Sequence, residues 1–324
     1  MAATTTFDGD WLVLLCFGVT VALQLSFFAI AYLLQFDKVT DLAGTLNFLL
    51  LAVLSLVVQN VYTTRAIVAS VLASLWAIRL GSHLFTRVLK RGKDERFDEM
   101  RGNFWSFFGF WVFQIIWVFI VSLPVMLVNS VDKADTPGFG DARDIVGIVL
   151  WAIGFFTEWA ADASKERFHE DSSNKGKLLC TGVWRYSRHP NYFGEILVWV
   201  GMTVLASPNF MDSSRHWYFV SILSPVLTFV LLMFLSGTPL AEDRYDERFG
   251  AQTFYLDYKR STSPLWLFPP ELYRELPQPV KLVFFLELPM YSRKLRSIQT
   301  GPPSTSGATD ITPADDESVY RAIP

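Results

Sequence analysis

Cysteine, histidine and charge are all scarce in this sequence, and each shortage excludes a class of protein. Two cysteines in 324 residues cannot form a disulfide framework. The four histidines have no paired spacing, which excludes the histidine-rich boxes of a di-iron desaturase, and we expect no metal site. Charged residues make up only 18% of the chain and the net charge is −3, so no basic surplus indicates a nucleic-acid partner.

Long apolar runs take the place of the missing charge. Hydrophobic residues make up 51% of the chain. They gather in blocks of roughly 20 residues, the length at which a helix crosses a hydrocarbon core of about 30 Å. The sequence therefore predicts an all-α fold, a multi-pass membrane helix bundle. About seven transmembrane helices are expected, at 11–34, 42–60, 66–80, 104–128, 143–160, 193–206 and 216–236.

The distribution of lysine and arginine predicts how these helices are oriented. Most of the 28 basic residues fall in the connections at 35–41, 79–103 and 161–191 and in the segment after 237. By the positive-inside rule these segments face the cytoplasm, which places the N-terminus outside and the C-terminus in the cytoplasm. The first apolar run is too long for the core of a signal peptide, so we expect it to be retained.

Composition divides the chain into four predicted parts. Residues 1–80 form N-terminal membrane helices, and residues 81–265 form a membrane domain that contains the functional segments described below. Residues 266–299 are proline-rich, and their apolar run at 280–288 is too short to span a membrane. We expect that run in the membrane interface or packed on the bundle, with nearby basic residues at the headgroups. Residues 300–324 are small, polar and proline-rich, and we expect them to be disordered.

Polar residues of the predicted cytoplasmic side concentrate in three segments. ADASKERFH (161–169) ends the fifth span, GVWRYSRHPNYFGE (182–195) begins the sixth, and AEDRYDERFGAQTFYLDYKRSTSP (241–264) follows the seventh. Charges at the ends of membrane helices are often only interfacial anchors, and the first and third segments alone fit that role. Continuation of the fifth helix would place three polar residues on one face, at Asp162, Lys165 and His169.

The second segment carries the stronger indication of function. Pro190 suits the first turn of a helix, so the unpaired N–H groups of the sixth span would point towards Arg188 and His189. Asn191 and Glu195 would then lie in the first turns of a membrane helix, where an ionisable group is costly and is usually functional.

The same segment resembles a known family. RHPNYFGE, with the preceding GVW and the tyrosine-rich third segment, is similar to the C-terminal domain of the steroid 5-alpha-reductase family. That family belongs to a wider group with the C-14 and C-7 sterol reductases and the isoprenylcysteine carboxyl methyltransferases. RGKDERFDEMR (91–101) and FWVFQIIWVFIVSLPVMLVN (110–129) resemble a less characterised branch of this group. The resemblance covers most of residues 80–265, and its signature is specific for the superfamily and not for a substrate.

The resemblance implies a cofactor site that faces the cytoplasm and is built from the three segments. It implies cofactor contacts at Asp162, Lys165, His169, Trp184, Arg188, His189, Asn191, Tyr192, Glu195, Glu242, Tyr255 and Tyr258. The family usually has asparagine or arginine where Asp162 and His169 stand in this sequence.

The relatives use two cofactors, NADPH and S-adenosylmethionine. A pyrophosphate and a 2′-phosphate need cations, which a sulfonium cofactor does not, so NADPH is favoured by five basic residues: Lys165, Arg185, Arg188, Arg244 and Arg260. No GxGxxG motif follows a strand, so the site would not be a Rossmann fold. The implied function is NADPH-dependent reduction of a CH–CH double bond of a sterol-, steroid- or other lipid-like substrate. The relatives indicate the endoplasmic reticulum, and no protein partner is inferred.

The substrate-side acid of the 5-alpha-reductases has no match in this chain. In that family a tyrosine and a glutamate from N-terminal spans serve this purpose, whereas here no glutamate precedes Glu95. The remaining catalytic candidates within the predicted spans or at their ends are Arg79, His83 and Glu158.

Two other functions stay open. The superfamily motif also allows an S-adenosylmethionine-dependent lipid or prenylcysteine-type methyltransferase, whose C-terminal pattern is met by Glu242, Phe249–Gly250 and Tyr258. A non-catalytic lipid-binding membrane protein would retain the fold without the activity. In that case replacing Asn191 or Tyr258 would affect no turnover.

Overall fold

The fold is helical, as the sequence predicts. The computed structural model describes residues 9–35, 39–91, 100, 102–211 and 213–300. In these ranges no strand forms, and seven helical segments are long and apolar enough to cross a membrane. The chain is therefore an all-α, multi-pass integral membrane protein. The predicted disordered tail, except for Thr300, lies outside the described residues, as does most of the motif at 91–101.

Six long helices are followed by a composite seventh span and four short helices. The long helices are α1 Gly9–Leu34, α2 Thr40–Gln59, α3 Thr64–Arg91, α4 Phe104–Asn129, α5 Ala142–Glu170 and α6 Pro190–Ala206. The seventh span joins a 3₁₀ helix Ser213–Ile222, α7 Leu223–Val230, a π turn Leu231–Leu235 and α8 Thr238–Phe249. The short helices are α9 Thr253–Ser261, α10 Pro270–Glu275, α11 Gln278–Phe284 and α12 Arg293–Thr300.

Helices α3 and α5 both continue beyond the spans that hydropathy predicts, which end at 80 and 160. Hydropathy falls because the extensions are charged, but each helix supplies the other with partners of opposite charge. Lys90 of α3 pairs with Glu166 and Glu170 of α5. The charged ends of the two helices therefore extend beyond the apolar region side by side. The domain boundary predicted after residue 80 lies inside α3.

An ion pair at the first turns of α3 and α5 fixes the two helices against each other. The Nε of Arg65 donates to Oδ1 of Asp144 at 2.7 Å, and its Nη1 donates to Oδ1 of Asn209 at 2.7 Å. Both charged side chains are almost completely buried. Because each buried charge has several partners, the pair fixes the relative height and rotation of these helices rather than leaving an uncompensated charge.

Helices α5 and α6 pack backbone to backbone through glycines on both sides. A Cβ placed on Gly154 would lie 2.6 Å from the carbonyl oxygen of Gly194. A Cβ on Gly194 would lie 2.6 Å from the backbone nitrogen of Glu158. Such small-residue contacts allow membrane helices to approach closely. This approach brings Glu158 of α5 next to the first turns of α6.

The start of α6 agrees with the position predicted for Pro190 in the first turn of a helix, and it lies three residues before the apolar span predicted from 193. Pro190 is the first residue of the helix, where its missing N–H costs nothing, so α6 begins at 190 rather than at 193. Immediately before α8, a Cβ on Gly237 would collide with the backbone of Leu232. Only glycine permits this break between the π turn and α8.

The proline-rich segment at 266–299 packs on one end of the bundle, which is one of the two expected positions. Arg293 and Lys294 of α12 form ion pairs with Asp243 and Glu247 of α8. These two basic side chains hold α12 to the bundle. The sequence predicted that basic residues of this segment would lie at lipid headgroups.

Candidate functional site

The residues that the sequence singles out lie in two neighbouring clusters. The membrane cluster lies between α3, α5 and α6 and consists of Arg79, His83, Glu158, Asp162, Asn191 and Glu195. The Arg188 cluster lies where the loop before α6 meets α8 and α9, and consists of Arg188, His189, Glu242, Asp246, Tyr255, Lys259 and Glu287. Three further residues (Lys165, Trp184 and Tyr258) lie between the two clusters.

The centre of the membrane cluster is an arginine held by two carboxylates. The Nη1 of Arg79 donates to Oδ2 of Asp162 at 2.6 Å, and its Nη2 forms an ion pair with Glu158. The Nε1 of Trp76 donates to the other oxygen of Glu158 at 3.1 Å. Only 11% of the Arg79 side chain and 3% of the Glu158 side chain are exposed. Charged groups buried this deeply between membrane helices are expensive and are retained where they serve a function.

Carboxylates outnumber cations in this cluster. Glu195 of α6 lies within electrostatic range of both Arg79 and Asp162, so three carboxyl groups surround one guanidinium. The Nε2 of His83 lies 3.9 Å from Asp162, and its Nδ1 lies 3.7 Å from Glu166. An excess of negative charge in an apolar region favours a proton on one of the carboxyl groups. The cluster can therefore hold and donate a proton.

Three buried polar atoms of the membrane cluster have no hydrogen-bond partner within the described part of the chain. These are Oδ1 of Asn191 and the Nε and Nη2 of Arg79, and Nη2 is engaged only in the ion pair with Glu158. A buried polar atom without a partner costs about 1–3 kcal/mol, so few are found in folded proteins. An open acceptor on α6 and open donors on α3 are suited to the polar groups of a ligand.

The Arg188 cluster is closed by its own protein partners. The Nε of Arg188 donates to Glu242 at 2.9 Å, and its Nη2 donates to Glu287 at 2.8 Å. Its Nη1 donates to the carbonyl oxygens of Lys259 and Thr262. Burial opposes the charge of Arg188, but the carboxylates of Glu242 and Glu287 outweigh it and raise the pKa of the guanidinium. The guanidinium of Arg188 is thus fully bonded to protein partners, although the residue also lines a narrow cleft beside Trp184, and its contact with a phosphate stays a prediction.

Other predicted residues brace the same cluster. The Nε2 of His189 lies 2.8 Å from Oε1 of Glu242, and its ring stacks on Tyr192 with 5.1 Å between centroids. Burial lowers the pKa of His189. The hydroxyl of Tyr255 donates to Asp246 at 2.6 Å, and burial raises the pKa of that hydroxyl. These side chains position the start of α6 relative to α8 and α9.

Trp184 and Tyr258 line a narrow cleft together with Tyr245 and with members of the Arg188 cluster. The Nε1 of Trp184 donates to the carbonyl oxygen of Ala161, and the hydroxyl of Tyr258 donates to the carbonyl oxygen of Trp184 at 2.6 Å. The Nζ of Lys165 lies 4.9 Å from the Trp184 ring centroid and 5.9 Å from that of Tyr245. The free volume of the cleft is about 10 Å³, roughly enough for one water molecule. A larger ligand enters only if the wall formed by Trp184 and Tyr258 moves.

The structure separates the basic residues that are available to an anion from those already paired. Arg185 pairs on the surface with Glu271 at 2.5 Å. Lys165 and Arg244 form no ion pair with any residue in the described ranges. Arg244 is exposed and lies within electrostatic range of Tyr192. Lys165 is therefore a cation without an ion pair beside two rings that line the cleft, and Arg244 is a second one, adjacent in sequence to the lining residue Tyr245.

His169 lies apart from both clusters. It is exposed at the last turn of α5, and seven residues separate it from Asp162, which is about 10 Å along a helix. The two residues lie on related faces of α5, as predicted, but only Asp162 reaches the buried cluster.

The sequence did not identify three members of the Arg188 cluster, nor Trp76, which donates to Glu158 in the membrane cluster. Asp246 follows Glu242 by one helical turn, so the position of Glu242 on a helix could have identified it. Trp76, Lys259 and Glu287 have no local motif. Glu287 in particular belongs to the run expected at the membrane interface, and only the folded chain brings it to Arg188.

Comparisons with known proteins place the chain in a family without assigning an activity. A family model described as a protein of unknown function, DUF1295, matches residues 27–262, which is more than half of the chain and includes both clusters except Glu287. An uncharacterised protein of Schizosaccharomyces pombe is 22% identical over 225 residues, which cover 61% of this chain and 63% of that protein. The match thus spans less than two thirds of that relative. No solved structure gives a significant match. The chain belongs to the DUF1295 family.

Proposed function

We propose that the protein is a membrane-embedded oxidoreductase that uses NADPH to reduce a carbon–carbon double bond of a lipophilic substrate. The observation that carries the proposal is the membrane cluster. Arg79 and Glu158 lie well inside α3 and α5, where an interfacial anchor has no use, and Asn191, one helical turn before Glu195 on α6, keeps an open acceptor atom. The resemblance of the α6 segment to the reductase superfamily gives this arrangement its chemistry.

The chemistry of the cleft fits a phosphorylated nucleotide. Lys165 beside the cleft and Arg244, adjacent in sequence to Tyr245, form no ion pair within the described residues, and the rings of Trp184 and Tyr245 supply aromatic faces beside Lys165. The open Oδ1 of Asn191 suits an amide or hydroxyl donor. When bound, NADPH would supply the hydride. The free volume of about 10 Å³ means that the wall of the cleft must open for this ligand.

Glu158 is the residue best placed to supply the proton. Reduction of a double bond adds a hydride to one carbon and a proton to the other, so a donor is needed on the substrate side. Trp76 and Arg79 fix the carboxyl group of Glu158 within electrostatic range of Asp162 and Glu195. His83 lies within 4 Å of both Asp162 and Glu166 and can return a proton from the end of α5.

The position of the cluster sets the class of substrate. A molecule that reaches Glu158 must enter between membrane-spanning helices, so it must be soluble in the bilayer. A sterol, steroid, polyprenol or fatty acyl chain meets this condition. We assign the protein to the endoplasmic reticulum because the enzymes that it resembles act on such lipids there.

A methyltransferase is the second candidate, and one observation favours it. Three carboxyl groups against one guanidinium leave the membrane cluster negative, which would suit the sulfonium cation of S-adenosylmethionine. The unpaired cations of the cleft do not suit that cofactor, and for this reason the reductase is preferred.

Equilibrium binding to the detergent-purified full-length protein tests the proposal. NADPH, NADH and S-adenosylmethionine are compared in the wild type, Lys165→Gln and Arg244→Gln. We expect each variant to weaken NADPH binding about tenfold or more, the value of a charge-assisted hydrogen bond, and to affect NADH less. Arg185→Gln is the matched control, because its charge is already paired with Glu271. Binding of S-adenosylmethionine alone would favour the methyltransferase, and binding of no cofactor would exclude both enzymes.

A further inference from the structure

A second cavity lies on the C-terminal side of the Arg188 cluster, between α9, α11 and α12. Its volume is about 390 Å³, and its walls include Leu256, Arg260, Lys281, Leu282, Leu288 and Arg296. This volume falls within the range of roughly 300–1,000 Å³ found for small-molecule sites. We call this cavity the α9–α11 groove. It is separate from the cleft beside Trp184.

Two cations of the groove, Arg260 and Lys281, form no ion pair with a carboxylate among the described residues. Arg260 is exposed and forms no ion pair in the described ranges, although the sequence assigned it to the cofactor site. The Nζ of Lys281 is largely buried, and it donates to the carbonyl oxygens of Arg260 at 3.1 Å and Arg274 at 3.3 Å. Carbonyl dipoles orient an ammonium group without neutralising it. Both cations are therefore available to an anion in the groove.

Two other charged residues of the groove wall, Glu287 and Lys259, already have partners outside the groove. Glu287 is bound to Arg188 and to the hydroxyl of Tyr273. Lys259 is bound to Asp246 at 2.5 Å. Burial lowers the pKa of Lys281, while Glu287 acts against this shift. An anion beside Lys281 would act in the same direction as Glu287.

The surface beside the groove is apolar and exposed. Val283 and Phe284 of α11 are 65% and 69% exposed, and Leu282 is 38% exposed. Large apolar side chains beside basic residues, on a helix too short to span, are typical of segments in the membrane interface. In that position the groove would open at the depth of the lipid headgroups.

We propose that the α9–α11 groove binds the phosphate headgroup of an anionic membrane lipid. Arg260 and Lys281 contact the phosphate, and Leu282, Val283 and Phe284 lie against the first part of the acyl chains. The proposal is independent of the reductase, since it uses neither the membrane cluster nor the cleft.

Binding of short-chain lipids to the detergent-purified full-length protein tests this site. The probes are dioctanoyl phosphatidic acid, dioctanoyl phosphatidylcholine and inorganic phosphate, and the variants are Arg260→Gln and Lys281→Gln. We expect phosphatidic acid to bind best and each variant to weaken it about fivefold, the value of one basic residue near an anionic membrane. Lys294→Gln is the matched control, because this neighbouring lysine is paired with Glu247 and does not line the groove.

The outcomes separate the lipid from other ligands. Unchanged binding of phosphatidic acid in Arg260→Gln would overturn the proposal, and this exposed position keeps the test valid even if Lys281→Gln fails to fold. Inorganic phosphate bound as tightly as phosphatidic acid would overturn the lipid and indicate a free anion. In Phe284→Ser we expect weaker binding of phosphatidic acid and unchanged binding of phosphate.

Discussion

Arg79 of α3 and Glu158 of α5 form an ion pair between membrane-spanning helices, and Arg65 and Asp144 form another the same number of residues earlier on each helix. The two helices therefore run parallel and in register. The charged groups of Arg65 and Asp144 are fully hydrogen-bonded, and this earlier pair fixes the register of the two helices. The later pair belongs to the membrane cluster, where polar atoms remain open, so the first pair positions the second.

The first prediction concerns the stability that Arg188 provides. Arg188→Gln leaves the buried carboxylates of Glu242 and Glu287 without their main partner, and we expect a loss of about 3–5 kcal/mol in the free energy of unfolding. Arg185→Gln removes only a surface pair with Glu271 and should cost less than about 1 kcal/mol. Thermal unfolding of both variants in detergent measures the difference. Equal stability of the two would show that the Arg188 cluster is not structural.

The second prediction concerns the contact between α5 and α6. In Gly194→Ala the new methyl group meets the backbone nitrogen of Glu158, and the helices must separate. We expect a cost of about 1–3 kcal/mol together with reduced nucleotide binding. Gly109→Ala is the control, because a Cβ at Gly109 has no neighbour within 4 Å. Unfolding curves of a Gly194→Ala protein that match the wild type would refute the close contact.

The third prediction is a dependence of stability on pH that arises from His189. Burial holds the pKa of His189 in the folded protein below its ordinary value of 6.5, with Glu242 acting against this shift and Arg188 and Lys165 acting with it. The unfolded chain therefore binds the proton at higher pH than the folded protein does. Stability that is present above pH 6.5 must fall as the pH is lowered through that value.

A comparison of wild type with His189→Gln isolates this contribution. Between about pH 7.5 and about pH 5.5, we expect the melting temperature of the wild type to fall more steeply than that of His189→Gln. For one proton, the free energies of unfolding of the two proteins can diverge by at most about 1.4 kcal/mol per pH unit. Parallel curves would mean that His189 does not titrate during unfolding.

The fourth prediction separates a ligand contact from a structural role at Asn191. The Oδ1 of Asn191 bonds nothing in the described part of the chain, so Asn191→Ala should change stability by less than about 0.5 kcal/mol. The same variant should weaken NADPH binding, because it removes an acceptor. A large loss of stability would show instead that Asn191 supports the fold.

The number and type of the helices could be predicted because each depends on local sequence. Apolar blocks of sufficient length identified the seven spans, and Pro190 identified the start of α6. The ends of α3 and α5 could not be predicted, because they depend on Lys90 meeting Glu166 and Glu170 on another helix. Hydropathy measures affinity for lipid and contains no information about such pairs.

The candidate site was predictable in its members and not in their partners. Motif resemblance named Arg188 and Glu242, and the structure brings them together. Their direct pairing, and the contribution of Glu287 from outside the motif, follow only from packing of segments distant in sequence. The expectation of a phosphate at Arg188 arose because the sequence shows a cation without showing which carboxylates neutralise it.

Transfer of hydrogen to a lipid tests the central claim most directly. The full-length protein is incubated with a total lipid extract and NADPH that carries deuterium on C4 of the nicotinamide, and the lipids are analysed by mass spectrometry. We predict a lipid that gains one deuterium, delivered as deuteride from the nicotinamide, and one proton across a former double bond in the wild type, and no such product in Glu158→Gln or Asn191→Ala. A wild-type protein that binds NADPH but labels no lipid would contradict the account.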